Sequence, residues 1–349
     1  MYDSVQVPGF LGNGVTAGIK DGGDRDLSLI FSEVPAKAVG VFTTNRFKAA
    51  PVVLDMERIK KGIAQAIIVN SGNANAATGK EGDKDAATMS RAVSEALGIE
   101  DELVLVASTG IIGEKLPIEK IVRSIKPLVE GLSTDGIPAL AKGIITTDRF
   151  LKIECRKCSV GGREITICGI AKGAGMIEPN MATMLSFIMT DADIDQVCLT
   201  GVFKESVDRS FNAITVDGCM STNDTAIMLA NGVAGNGLIS ETSGNLMEFR
   251  EALFDVMDSL ARSIVKDGEG ATKLIEIVVE EARVVGDAKK IAYAIANSNL
   301  VCEKDSVCHS KFQSCENGIL RRGSKLGENH IGGRFSRDSI LNRLSGTLY

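Results

Sequence analysis

Tryptophan is absent from the 349 residues, and histidine occurs only twice, at His309 and His330. A Ser-His-Asp arrangement needs a histidine that acts as the base, and the first 300 residues contain none. The sequence also lacks any apolar run near the roughly 20 residues that a membrane-spanning helix needs. These absences argue against a hydrolase triad and against a chain embedded in a membrane.

An excess of positive charge is missing as well, because 39 Lys and Arg residues stand against 45 Asp and Glu residues, a net charge of -6. Nucleic acids and anionic membranes attract basic surfaces, so we expect neither as a partner. The first ten residues contain no basic segment followed by an apolar one, the pattern of a secretory signal. We therefore expect a cytoplasmic protein.

The eight cysteines give no clear indication of disulfides or of a metal site. Free thiols are the usual state in a reducing compartment, and only Cys155 and Cys158 have the CxxC spacing. Both lie in a predicted hairpin that turns at Gly161 and Gly162, where residues three apart on a strand face opposite sides. We therefore expect structural thiols and no zinc at this pair.

Short β-branched segments alternate with segments of helical periodicity along the chain. The predicted strands are 38–42, 65–70, 102–107 and 272–282, and the predicted helices are 85–97, 203–214, 247–265 and 289–297. This mixture predicts an α/β or α+β protein of layered sheets and helices. The length exceeds what one hydrophobic core usually fills, so we expect two lobes or domains.

The composition changes near Val301. Residues 301–349 hold three cysteines, both histidines, and 8 Lys and Arg against 5 Asp and Glu, without apolar periodicity. Such a tail indicates loop, disorder or foreign sequence. We hypothesise a shift of reading frame near residue 301, which sequencing that region would reveal. The spacing of Cys302, Cys308, His309 and Cys315 lacks paired metal-binding elements, so we expect no zinc site there.

A glycine-rich turn containing Gly173, Gly175 and Pro179 leads into an apolar segment at Thr183. A threonine hydroxyl is a weak nucleophile that needs a nearby base. If the hydroxyl attacked the Ala182 carbonyl and the chain were cut there, Thr183 would gain an α-amine with a pKa of about 7.7–8.0 that could act as this base. Alternatively, Thr183 caps a helix or is a buried hydroxyl, and the spacing alone leaves both interpretations open.

Other polar residues stand in turn or loop contexts. Thr109 and Gly110 follow a predicted strand, where backbone N–H groups could stabilise an oxyanion, although an ordinary turn would look the same. Thr146, Lys172 and Glu269 lie near glycines or in loops, where a cation could bind a substrate carboxylate and an acid its amine. Each could equally be a solvated surface residue.

Six segments, taken together and in order, resemble the glutamate N-acetyltransferase/ornithine acetyltransferase (ArgJ) family. The segments are 70–76, 108–113, 146–148, 172–185, 215–225 and 267–273, and the resemblance covers residues 5 to 300. It implies an α-β-β-α sandwich of mixed sheets, shared with DmpA-like proteins. It also implies self-cleavage between Ala182 and Thr183 into an α chain (1–182) and a β chain, of which 183–300 is family-like, and assembly of both chains as a heterotetramer.

The resemblance further implies a role for each site residue. Thr183 would be the nucleophile, Thr109 and Gly110 would form the oxyanion hole, and Thr146, Lys172, Thr183 and Glu269 would bind substrate. N-acetylornithine would acetylate Thr183, and glutamate would then take the acetyl group. Acetyl-CoA is possible as a second donor, and no metal or redox cofactor is implied.

Two further interpretations stand beside this one. An N-terminal-nucleophile aminopeptidase of related fold would cleave itself but release its acyl group to water. An uncleaved, inactive binding protein is the other alternative, because the tail lacks the tryptophan-containing motif and the polar C-terminal residues that family members carry.

Overall fold

A computed structural model describes most of the chain before residue 299 and short pieces beyond it. The described residues are 5–176, 184–217 and 220–298, together with the backbone of 311–313, 321–322 and 346–348. Ala182 and Thr183 lie outside the described residues, as do both histidines and Cys302, Cys308 and Cys315.

Twelve strands and seven helices occupy the described residues. The strands are β1 Phe10–Val15, β2 Leu27–Phe42, β3 Ile63–Asn73, β4 Val104–Ile111, β5 Lys152–Val160, β6 Arg163–Lys172, β7 Leu185–Thr190, β8 Thr225–Ala230, β9 Ile277–Glu280, β10 Lys311–Gln313, β11 Arg321–Arg322 and β12 Gly346–Leu348. The helices are α1 Ala50–Arg58, α2 Gly79–Leu97, α3 Ile118–Glu130, α4 Ile137–Ile144, α5 Gln196–Arg209, α6 Leu246–Lys266 and α7 Val285–Ala296. All eight segments predicted from periodicity overlap an element of the predicted type.

Eight strands form one mixed sheet in the order β4-β3-β2-β8-β7-β6-β5, with β1 paired to β2. The pairs β3–β4 and β7–β8 are parallel, and the remaining pairs are antiparallel. The long strand β2 joins the two halves of this sheet. It pairs with β1 and β3 near its start and with β8 over residues 37–42, and its register against β3 shifts between Phe31 and Ala36.

Three apolar clusters divide the sheet into layers. One lies between α2, α3 and the β2–β3–β4 half, and another lies between α5, α6 and the β6–β7–β8 half. The third contains the inward side chains of both halves together with α4. Along β8, for example, Ile227 and Leu229 point into this central cluster, whereas Ala226 and Met228 point towards the outer helices, as the two-residue period of a strand requires.

The layers therefore run helix, sheet, sheet, helix, which confirms the predicted sandwich of mixed sheets. The two sheet layers are halves of one hydrogen-bonded sheet, because β2 takes part in both. A second, smaller sheet has the order β11-β10-β9-β12, and α7 packs against β9. No helix in the described part of the chain is both long and apolar enough to span a membrane.

The cysteines correct one expectation. Cys155 and Cys168 are direct partners across the β5–β6 hairpin and are joined by a disulfide, so the expectation that all thiols are free is wrong for this pair. Direct cross-strand partners have Cβ atoms only about 4.5–5.5 Å apart, a proximity that the sequence separation of 13 conceals. Cys155 packs on the central cluster and Cys158 on the outer one, so their opposite orientation is confirmed.

Candidate active site

The parallel strands β3 and β4 end side by side, and the Thr109–Gly110 turn lies at this edge. In the register, Thr109 is opposite Ser71 and Gly110 is opposite Gly72. A Cβ atom on Gly110 would lie 2.2 Å from the backbone carbon of Gly72, and the φ of Gly110 is 136°. Only glycine fits this position, and its backbone is exposed while Thr109 is buried.

Two buried asparagine side chains stabilise this turn through hydrogen bonds. Asn70 accepts a hydrogen bond from the Ser108 hydroxyl at 2.6 Å. Asn223, which lies just before β8, donates to the carbonyl oxygens of Ala74 at 2.6 Å and Ser108 at 2.9 Å. The turn at the end of β4 is thereby tied to the other half of the sheet.

Lys172, the last residue of β6, lies against the turn. Its side chain is buried, and its Nζ donates to the Thr109 hydroxyl at 3.2 Å. Burial lowers the pKa of Lys172 from its ordinary value, while the charge of Asp148 opposes that shift. A cationic donor is thus placed beside the Thr109 hydroxyl at the predicted oxyanion site.

Asp148 organises the loop that carries Thr146. Its carboxylate accepts from the backbone N–H of Thr146 at 3.0 Å and of Gly173 at 2.8 Å. Burial acts to raise the pKa of Asp148, but the charges of Lys172 and Lys152 outweigh burial, so the pKa is lowered. The ionised Asp148 carboxylate therefore joins the loop at Thr146 to Gly173, directly after β6.

A buried lysine links this loop to Glu269. Lys152 donates to Asp148 at 2.7 Å and to Asp267 at 2.6 Å, and all three side chains are fully buried. Two residues after Asp267, the backbone N–H of Glu269 donates to the Ala174 carbonyl oxygen at 2.6 Å. The Glu269 carboxyl is then so close to Gly175 that a Cβ atom there would meet it at 2.7 Å.

These residues surround one cavity of about 680 Å³, a size typical of small-molecule sites. All five predicted site residues that the structure describes line it, namely Thr109, Gly110, Thr146, Lys172 and Glu269. Gly175 and Met176, at the end of the described segment that precedes Thr183, also line it. Thr183 itself lies outside the described residues, so its role stays a prediction.

The cavity contains residues that the sequence analysis did not single out, among them Lys20, Asp21 and Asp217. Lys20 donates to the Ile145 carbonyl oxygen at 2.7 Å, and burial lowers its pKa. The glycines at 18, 22 and 23 give Lys20 the same kind of context that drew attention to Lys172. Asp217 accepts from the backbone N–H of Met176 and lies in segment 215–225 of the resemblance.

Across residues 5–176, 184–217 and 220–298, no three His, Cys, Asp or Glu side chains are placed to hold a metal ion.

Comparison with known proteins identifies the family. The model of the ArgJ family matches residues 12–304. Arginine biosynthesis bifunctional protein ArgJ of Caldanaerobacter subterraneus subsp. tengcongensis is 54% identical over 298 residues, 85% of this chain and 74% of the relative. The protein of that name from Geobacter sulfurreducens is 54% identical over 297 residues, 85% of this chain and 76% of the relative.

A third relative is similar to nearly the whole chain, including part of the tail at 301–349. The protein of the same name from Listeria monocytogenes is 46% identical over 342 residues, 98% of this chain and 85% of the relative, whereas the family match ends at residue 304. The proposed division at residue 301 therefore stays a prediction. The matches over most of the chain agree with the motifs that converge on the cavity, and the chain belongs to the ArgJ family.

Proposed function

We propose that the cavity transfers an acetyl group from N-acetylornithine to glutamate through an acetyl-Thr183 intermediate. Membership of the ArgJ family makes the chain an acyltransferase of arginine biosynthesis, which sets aside the aminopeptidase alternative. The relatives are named bifunctional, and this supports acetyl-CoA as a second acetyl donor. Both donors deliver the same acetyl group to the same hydroxyl.

One observation carries the proposal. The buried Nζ of Lys172 is 3.2 Å from the Thr109 hydroxyl, beside the exposed backbone of Gly110. Donors fixed in a buried site stabilise a developing oxyanion far better than water does. Acyl transfer requires such a set of donors, whereas a protein that only binds its ligand does not need one.

Self-cleavage prepares the nucleophile in this proposal. The Thr183 hydroxyl attacks the Ala182 carbonyl, the amide becomes an ester, and water releases the two chains. The α-amine of Thr183 is then free to accept the proton of its own hydroxyl, because its pKa of about 7.7–8.0 lies near neutral pH. Nucleophile and base are then parts of one residue.

Transfer follows in two half-reactions. The Thr183 oxygen attacks the acetyl carbonyl of N-acetylornithine, the oxyanion is bound by Thr109 and the Gly110 N–H, and ornithine leaves with the proton. The amine of glutamate then attacks the acetyl ester and regenerates the hydroxyl. Lys172 supplies a cation for a substrate carboxylate, Glu269 supplies an anion for an amine, and Thr146 contributes a further polar contact.

The test uses purified full-length protein. Denaturing electrophoresis should show two fragments in place of one band at 36.9 kDa, and acetyl should pass from N-acetylornithine to glutamate. The Thr183→Ala variant should stay whole and transfer nothing. An intact wild-type chain without transfer would support the uncleaved binding protein instead.

A further inference from the structure

The two amino acids that the proposed transfer connects differ in charge. N-acetylornithine carries one carboxylate, and its side chain ends in an ammonium group, whereas glutamate carries two carboxylates. In the proposed function, Lys172 binds a substrate carboxylate and Glu269 binds an amine, so the second carboxylate of glutamate still lacks a cation. The assignment of that cation to a residue of the cavity rests on the proposed function.

Lys20 lines the cavity, and a buried carboxylate holds its backbone in place. Oδ1 of Asp26 accepts from the Ala17 N–H at 2.5 Å. Oδ2 of the same carboxylate accepts from the Ile19 N–H at 2.6 Å and from the Lys20 N–H at 3.0 Å. Hydrogen bonds to an ionised acceptor are among the stronger ones in proteins, so the backbone that carries Lys20 has a fixed position at the cavity.

The side chain of Lys20 lies beside the oxyanion turn. A Cβ atom on Gly72 would meet the Cγ atom of Lys20 at 2.9 Å, so the aliphatic part of Lys20 packs directly on Gly72. Gly72 is the register partner of Gly110 on the neighbouring parallel strand, and paired strands lie about 4.8 Å apart. The Lys20 side chain is therefore next to the strand end that exposes the Gly110 backbone.

The ammonium group of Lys20 keeps one donor for a ligand. Its Nζ donates to the carbonyl oxygens of Arg25 at 2.9 Å and Ile145 at 2.7 Å. A lysine ammonium has three N–H donors, so the third has no partner among the residues that the structure describes. Ile145 immediately precedes Thr146, which also lines the cavity. The two carbonyls thus orient the ammonium group but carry no net charge to neutralise it.

The positive charge of Lys20 is only partly compensated. Its side chain is half-buried, and burial lowers its pKa even though the charges of Asp26, Asp24 and Asp148 oppose that shift. Asp21 also lines the cavity, but it is exposed to solvent, where charges interact weakly. A cation that is partly removed from water is stabilised by an anion beside it, so this part of the cavity favours a negatively charged ligand group.

We propose that Lys20 binds the side-chain carboxylate of glutamate, the acetyl acceptor. That carboxylate accepts the remaining N–H of Lys20, while Lys172 binds the other carboxylate. Glu269 attracts a substrate side chain that ends in an ammonium group and repels one that ends in a carboxylate. One cavity thereby accommodates both amino acids, because each side chain meets a group of opposite charge. Lys20 is then the residue that selects glutamate as the acceptor.

The test compares glutamate with glutamine as acceptors of acetyl from N-acetylornithine, in full-length wild type and Lys20→Met. Glutamine has nearly the shape of glutamate, but an uncharged amide replaces the side-chain carboxylate. A hydrogen bond between charged groups corresponds to about 10-fold to 100-fold in affinity. Wild type should therefore prefer glutamate in kcat/KM by at least about 10-fold, and Lys20→Met should lose most of this preference.

The ratio of the two acceptors within one variant separates recognition from structure. If Lys20 only supported the loops at Arg25 and Ile145, Lys20→Met would weaken glutamate and glutamine equally, and the unchanged ratio would overturn the assignment. Lys20→Arg keeps a cation and should retain part of the preference. Lys120→Met is the matched control, since the exposed Lys120 donates to the Gly18 carbonyl oxygen at 2.6 Å but does not line the cavity. Its preference should equal that of wild type.

Acetyl-CoA provides a competing source of negative charge, because its phosphate groups would be attracted to the same cation. The KM for acetyl-CoA is therefore measured in wild type and Lys20→Met with glutamate as acceptor. A higher KM for acetyl-CoA together with an unchanged preference for glutamate would show that Lys20 binds phosphate, and the assignment would be wrong.

Equilibrium binding distinguishes a failure of this assignment from a failure of the proposed function. Calorimetric titration of glutamate and glutamine into wild type and Lys20→Met requires no acetyl transfer. If wild type transfers no acetyl group but binds glutamate at least about 10-fold more tightly than Lys20→Met does, the proposed function is wrong and the carboxylate site stands. If transfer occurs and Lys20→Met keeps the full preference for glutamate, only the assignment of Lys20 is wrong.

Discussion

At Gly110 the backbone of β4 runs so close to that of β3 that a side chain has no room. A Cβ atom would lie 2.2 Å from the Gly72 carbonyl carbon and 2.5 Å from the Asn73 nitrogen, both of which are backbone atoms. Backbone cannot rotate away as the end of a flexible side chain can. The close approach therefore fixes the position of the Gly110 N–H relative to the cavity.

We predict that Gly110→Ala removes acetyl transfer and destabilises the fold, because the added methyl group forces β3 and β4 apart. Overpacking of this kind costs about 1–3 kcal/mol. Gly113→Ala is the matched control, since Gly113 also has a positive φ, 87°, but nothing lies within 4 Å of its Cβ position. Urea unfolding and the transfer assay check both variants, and equal losses in the two would contradict the role of the close approach.

Lys172 gives a prediction on pH. Burial lowers its pKa below the ordinary 10.5, so the side chain loses its charge at a lower pH than an exposed lysine does. If the cation binds a substrate carboxylate, the KM for N-acetylornithine should rise as the pH increases through this lowered pKa. A guanidinium stays charged throughout that range, so Lys172→Arg should abolish the rise. A KM profile that is the same in wild type and Lys172→Arg would count against the role.

The same shift affects stability, with a definite sign. The folded protein holds the proton of Lys172 less firmly than the unfolded chain does, so the unfolded chain binds more protons between the two pKa values. The penalty of burying Lys172 is therefore present below the folded pKa and disappears as the pH rises through the unfolded value. Such a residue is retained for its chemistry rather than for stability.

Among the elements, β5 is tied to two loops by a single side chain. Lys152, its first residue, bridges Asp148 on one loop and Asp267 at the end of α6. Through them it supports Thr146 and Glu269, which both line the cavity. Lys152 does not touch the cavity and acts as a positioning residue.

We predict that Lys152→Met destabilises the protein by about 3–5 kcal/mol, because two buried carboxylates lose the buried cation that bridges them. Asp267 then retains the largely exposed Arg149 as its cation, which compensates a buried charge less well. The KM for both amino-acid substrates should rise as the two loops separate. Lys157→Met on the same strand is the control, since Lys157 forms an exposed pair with Glu164 and should leave unfolding unchanged. Equal unfolding curves for the two variants would contradict the bridging role.

The sequence predicted elements well where one pattern persists over several residues. The apolar spacing of α6 and the β-branched run of β3 are examples, because each reports burial of one face or both. Lys152 could not be recognised in this way, since a lysine in an alternating strand is ordinarily solvated and only the distant Asp267 makes it a buried ion. The double pairing of β2 was also hidden, because the register shift between Phe31 and Ala36 depends on both partner strands.

The candidate site was predictable mainly through motifs. Thr109, Gly110 and Lys172 are far apart in sequence, and no periodicity relates them, so their convergence is a property of the fold. Only the resemblance to the family predicted that these residues lie in one site. Lys20 was not singled out because its significance lies in its burial beside the cavity, which a sequence does not display.

At the scale of the whole molecule, we predict a particle that contains two copies of each cleaved chain. Its mass in light scattering should be twice that of the 36.9 kDa chain, as the resemblance to the family implies. Thr183→Ala should form a particle of the same mass from two uncleaved chains, because assembly depends on folded surfaces. A mass of one chain for the cleaved protein would contradict the heterotetramer.

The order of strands in the large sheet has a consequence for what a cut would do. Strands β7 and β8 lie between β2 and β6, so these two strands, which follow residue 183, are enclosed on both sides by strands that precede residue 182. A break between Ala182 and Thr183 would therefore free two new termini without freeing either fragment. In buffer the severed molecule would migrate and sediment as one object. Separation of the two fragments by denaturant would also be hard to reverse. To reassemble, β7 and β8 of one fragment would have to insert between β2 and β6 of the other.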